Sequence, residues 1–192
     1  MAEPASRVRN AQGLWVWMDR YQPGLQARVR ERLPPDIADV LDNGVRTAWI
    51  PLDRDRLFVH AVIDTLGREG AKQMWRRYAA RYADESFIKP IFEATVRIFG
   101  LDVRAFCKSV VKIYRSEFRG MGDMDLIDQD DDSLVLMVTD VPAQMFERDA
   151  YIVMFEGMFT GMYDVAGIPD PRLSIRWDED QGFVQIILEG AR

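Results

Sequence analysis

Apolar residues recur at three- and four-residue steps through most of the first 120 positions, then alternate in two separate stretches. The strongest helical run is Tyr151 to Gly167, where Ile152, Phe155, Phe159, Met162 and Ala166 share one face. Val153, Met154 and Met158 widen that face, which predicts a helix buried on more than one side. Gly157 and Gly161 lie one turn apart and leave room for close approach, so the helix is expected to lie tightly on a sheet. Gly167 supplies its stop, with Pro169 and Pro171 beyond it.

Upstream, the pattern predicts a short helix from Leu25 to Leu33 and another from the Pro34-Pro35 pair to Asn43. Residues 47–52 read as an extended link, because Pro51 disfavours helix at Ile50. Asp53 is the expected N-cap of a helix bearing Leu57, Phe58, Ala61, Val62 and Leu66, ended by Gly67 and Gly70. Further helices are expected over 71–82, over 85–99, and from the cap Asp102 to Phe118, the last with Phe106, Val110, Ile113 and Tyr114 inward. Strands are predicted over 124–129 and 134–140, and again over 173–177 and 183–189, each pair joined by a polar turn. Near the start, Trp15 and Trp17 sit in a short apolar run that fits either a strand or a helix. The expected fold class is α+β: a helical N-terminal half packed on a small antiparallel sheet, with a β-β-α-β-β C-terminal half. Residues 1–20 read as an N-terminal arm and 21–192 as one domain.

Composition narrows the chemistry. The 192 residues are 48% apolar, enough for a core, and no segment has the length and apolarity of a membrane span. The first ten residues lack the apolar stretch of a signal peptide, so a soluble cytoplasmic protein is expected. One histidine, His60, and one cysteine, Cys107, exclude multi-histidine and cysteine-rich metal sites. Charge is divided unevenly: residues 1–119 carry 21 Lys and Arg against 15 Asp and Glu, residues 120–192 carry 4 against 16. The net charge of −6 argues against nucleic acid as the main partner, and the asymmetry suits a basic partner-binding half or head-to-tail association, and equally the face that each half shows to solvent.

Few residues carry candidate chemistry. His60 suits a base or a haem ligand, and equally a hydrogen-bonded core residue. Cys107 reads as a buried thiol. Lys108, Lys112, Arg115 and Arg119 form a basic stripe that reads as a solvated helix face. Asp128, Asp130 and Asp132 begin like a calcium loop but lack its glycine and closing glutamate. Asp53/Asp55 and Asp178/Asp180 are paired carboxylates at element ends, where caps and turns account for them.

The blocks WIPL (49–52), DTLG (64–67), FIKPIFEATVRIFGLD (87–102) and EGMFTGMYDVAG (156–167) resemble an uncharacterised family of roughly 200-residue proteins known chiefly from myxobacteria. The resemblance spans residues 33 to 189 and rests on scattered short patterns. More distantly, the order of elements is similar to 4-vinyl-reductase-type domains, TRAPP transport-particle subunits and haem nitric-oxide-binding domains. That resemblance implies an apolar ligand pocket between helices and sheet, and a tendency to pair. Departures are plain. No cysteine lies near the final strands, and Tyr114-Arg115-Ser116-Glu117-Phe118 places Phe where the haem domains' Tyr-x-Ser-x-Arg motif has Arg. His60 also lies in a much earlier helix than their haem ligand, and Cys107 is the one conceivable acylation site.

The resulting expectation is a non-catalytic module that binds an apolar or amphipathic small molecule and serves a sensory or regulatory role. The candidate ligand-binding residues are His60, Trp75, Phe92, Phe106, Cys107 and Tyr114, with no catalytic or metal site and no cofactor assigned. The alternatives are a homodimeric interaction module, with Trp15 and Trp17 exposed in the monomer, and a haem-based gas sensor through His60.

Overall fold

Among the described residues, helix α4 (Leu52–Ala83) and helix α6 (Ala150–Ala166) make the most extensive contact between elements. Their seam follows from two glycines. A Cβ on Gly157 would meet Lys72 O at 2.5 Å and Trp75 Cβ at 2.7 Å, and one on Gly161 would meet Ala79 Cβ at 2.7 Å and Arg76 O closer still. Only a residue without a side chain fits either position. The glycine pair therefore faces a helix, not the sheet that the sequence suggested. Ion pairs flank the seam, Lys72–Glu156 at 3.3 Å and Arg76–Asp164 at 2.6 Å.

This computed structural model describes residues 3–83, 103–128, 133–166 and 172–189. Around the central pair, the chain begins with β1 (Ala5–Arg7), which runs directly into α1 (Val8–Tyr21). The apolar run near the N-terminus thus lies in a helix that a short strand leads into. Short helices α2 (Leu25–Arg30) and α3 (Pro35–Asn43) follow, then β2 (Trp49–Pro51). After α4 come α5 (Val103–Glu117), β3 (Phe118–Arg119), β4 (Asp123–Asp128) and β5 (Ser133–Thr139). Two 3₁₀ turns lead into α6, and β6 (Arg172–Asp178) and β7 (Phe183–Glu189) close the described fold.

The α+β class holds. A four-stranded antiparallel sheet runs β4-β5-β7-β6, so the two hairpins join through β5 and β7. Period-two alternation sends Leu134, Leu136 and Val138 of β5 and Val184, Ile186 and Leu188 of β7 to one face, all of them buried. Helix α5 packs on β4 and β5, and α6 packs on β6. A second antiparallel sheet, β2-β1-β3, pairs Ala5 with Pro51 and Ser6 with Phe118. Pairs this short carry no sequence signal of their own.

Two boundaries differ from expectation. Helix α4 starts at Leu52, which puts Asp53 in its first turn instead of at the cap. Gly67 (φ 71°) breaks the helical path, but the helix resumes at once and Gly70 lies inside it. The helix expected over 85–99, the Asp130–Asp132 turn and the Gly167 stop lie outside the described residues. Among the described residues no helix is long and apolar enough to cross a membrane.

Candidate functional site

Four helices border a partly open apolar cavity of about 140 Å³. Its walls come from Ala11 and Leu14 of α1, Phe58, Val59 and Trp75 of α4, Val110 and Tyr114 of α5, and one face of α6. The α6 contribution is Met154, Phe155, Met158, Phe159 and Met162, a mixed methionine and phenylalanine surface about two turns long. Methionine sulfur is polarisable and its chain flexible, so such a wall adapts to irregular apolar shapes. The four-stranded sheet contributes Met124 of β4.

Polar groups also border this space, from Ser6 and Asn10 near the start of the chain, Asp55 in the first turn of α4, and Glu117 at the end of α5. Tyr151 OH donates to Asp55 Oδ2 at 2.8 Å, tying the first turns of α6 and α4 together across 96 residues of sequence. Burial pushes the Asp55 carboxyl above its usual range, more than the neighbouring Tyr151 and Ser6 hydroxyls lower it. Burial likewise raises the Tyr151 phenol well above its ordinary value, so the phenol stays protonated and donates. Glu117 is paired instead: Arg9 Nε donates to its Oε2 at 2.8 Å and Arg9 NH2 to its Oε1. Tyr114 OH donates to Met121 O at 2.6 Å, and burial raises its phenol pKa.

The residues singled out from the sequence divide between the cavity and its surroundings. Trp75 and Tyr114 line it. Cys107 is buried in α5 and His60 is buried in α4, and neither is among the lining residues. His60 faces the turn before α6, where its Nε2 lies 3.3 Å from Glu147 O, and desolvation lowers its pKa. That turn is laced to α4 by Arg56–Glu147 and Asp64–Arg148 pairs. Phe92 and the side chain of Phe106 lie outside the described residues. The basic stripe is largely solvated, with Arg115 on Asp125 at 2.6 Å and Arg119 stacked over Trp49. Trp15 is buried with its indole N–H on Asp42, and Trp17 is half-buried against Tyr21 and Tyr78.

Asp55 and the methionines of α6 carry more of the site than their sequence context suggested. Asp55 looks like an ordinary helix-start acid until Tyr151 is brought beside it. Met154, Met158 and Met162 do leave a trace, since their four-residue spacing puts them on one stripe. Among the described residues no group of three or more His, Cys, Asp and Glu side chains is arranged to hold a metal ion.

No protein-family model matches the chain, and no curated protein matches it. Solved structures do. An Fe(II) unliganded H-NOX protein from K. algicida aligns over 96% of this chain and 95% of its own, with a TM-score of 0.58 and 10% identity. A mutant of the T. tengcongensis H-NOX aligns over 95% and 96%, at TM-score 0.60 and 13% identity. An oxygen-binding H-NOX domain related to soluble guanylate cyclases, solved as its oxygen complex, covers 94% and 92% at TM-score 0.58 and 14% identity. The chain is thus similar in fold to H-NOX domains along nearly its whole length.

A haem held through His60 or Cys107 does not fit this arrangement. The chain's only histidine is directed at Glu147 O and its only cysteine is off the cavity, so neither offers an axial ligand there. A cavity of about 140 Å³ is matched to a single small ring, of the size that a benzene-binding cavity of about 150 Å³ accepts.

Proposed function

We propose that this protein is a non-catalytic binding module for a small apolar or amphipathic molecule, held in the cavity between α1, α4, α5 and α6, with a sensory or regulatory output. The observation that carries this reading is the cavity itself: a partly open space of about 140 Å³ walled by aromatic and methionine side chains. Apolar walls left uncovered in such a cavity forfeit dispersion contacts and meet water, and a ligand restores the one and removes the other. The H-NOX likeness supports the reading at the level of fold, and function requires its own site. A sensory output would arise through the walls. Asp55 and Tyr151 join the two longest of them, so a ligand that favours one spacing of α4 and α6 shifts the population of that spacing.

Native mass spectrometry of protein purified without stripping tests the proposal, with toluene titration of the emptied protein as its second arm. The expected result is one small molecule released per chain, or, from empty protein, saturable toluene binding with a rise in melting temperature. Empty protein that is also indifferent to toluene would overturn it. The same spectrum reports subunit number, which bears on the homodimeric alternative.

A further inference from the structure

We infer that the cavity's ligand is a small uncharged ring compound carrying one hydroxyl group, seated with that hydroxyl on Asp55 and Ser6. This rests on the binding reading above and names the ligand's chemistry. The polar groups around the cavity differ in what they have left to offer. Both Glu117 oxygens are occupied by Arg9, and Ser116 Oγ adds a bond of 3.2 Å to Oε1. The Tyr114 hydroxyl is committed to Met121 O. At Asp55, Tyr151 occupies Oδ2 alone. Ser6 Oγ is fully buried and close enough to help lower the Asp55 pKa, yet it makes no hydrogen bond of sound geometry. A carboxyl oxygen and a serine hydroxyl are therefore available together on the rim of a mainly apolar space.

Charge decides which partner suits them. A ligand carboxylate or phosphate would need a cation, and among the described residues that line the cavity there is no lysine or arginine. It would also meet the Asp55 carboxyl. An ammonium would require Asp55 to ionise where burial favours its protonated form. A hydroxyl both donates and accepts, so it can satisfy Ser6 Oγ and a neutral or ionised Asp55 without carrying charge into the cavity. The size of the space limits the apolar body to about one ring.

The test is an NMR titration with four ligands of nearly one shape: toluene, benzyl alcohol, benzylamine and benzoate. Benzyl alcohol is expected to bind about tenfold tighter than toluene, the factor of one net hydrogen bond, and the two charged ligands weaker than toluene. Ser6→Ala should cut the alcohol-to-toluene ratio several-fold. The Asp55→Leu/Tyr151→Phe double variant removes both members of the buried pair so that neither is stranded, and should bring the ratio to about one. Toluene binding with no preference for the alcohol would overturn the hydroxyl inference and leave the binding reading standing, as would tightest binding of the amine or benzoate. A ratio unchanged in both variants would remove Asp55 and Ser6 from the role. Failure of all four ligands to bind would overturn both.

Discussion

Gly161→Ala gives the sharpest test of how this molecule is assembled. On an ordinary helix surface the change stabilises, because alanine exceeds glycine in helix propensity by about 1 kcal/mol. Here the added methyl would lie 2.7 Å from Ala79 Cβ and closer still to Arg76 O, a backbone atom that cannot swing aside. Ordinary carbon contacts begin near 3.4 Å, so α4 and α6 must separate by most of an ångström at least or bend locally. Overpacking of a tight core typically costs about 1–3 kcal/mol, and a clash with backbone belongs at the upper end. Less the propensity gain, the net loss is about 2 kcal/mol. For a chain of this size that corresponds to a melting temperature lower by about 4–8 °C. Gly70→Ala is the control: its Cβ would meet only Leu66 Cβ of its own helix, at 3.2 Å, so its stability should hold or rise by up to about 1 kcal/mol. Thermal and urea melts followed by circular dichroism read both variants. A Gly161→Ala protein as stable as the parent would refute the close α4–α6 seam.

Other perturbations separate the remaining groups. Asp55 has a raised pKa in the fold, so its stabilisation is full below its ordinary value of 3.8 and falls as pH rises through the folded value. The stability of Asp55→Asn relative to the parent should therefore improve from pH 4 to pH 7 (about the span over which a buried carboxyl titrates), as read by urea midpoints. His60 has the opposite sign: its lowered pKa means that stability falls as pH drops below 6.5, where the unfolded chain gains the proton first. His60→Asn should flatten that acid-side slope, and an unchanged slope would place the imidazole in solvent. Arg9→Ala leaves Glu117 buried without its cation, and a loss of about 2–4 kcal/mol is expected, discounted from the fully buried case because Arg9 is partly exposed. Incubation with haem should produce no stoichiometric absorbance band that depends on His60, and such a band abolished by His60→Ala would contradict the contact between His60 and Glu147 O.

Most elements were legible along the chain because helices and strands are written in the spacing of apolar side chains. The α6 run, the α5 inward positions Val110 and Tyr114, and both C-terminal hairpins carry that spacing openly. The three-stranded β2-β1-β3 sheet did not, because a strand of two or three residues has too few positions for a period to show. The break at Gly67 was marked by its residue type, but the helix continues through Gly70 into the segment that packs on α6, a continuation that no local pattern records.

Local spacing along the chain was thus enough for the element types, the α+β order, and the limits set by one histidine and one cysteine. Which surfaces meet emerged with the packed fold. Packing set Gly157 and Gly161 against α4, joined Asp55 to Tyr151, and turned His60 toward Glu147 and away from the cavity. The reason is physical. Side-chain direction within one element follows from local backbone geometry, whereas the partner of a face is settled by burial and hydrogen-bond satisfaction among groups as far apart as residues 55 and 151.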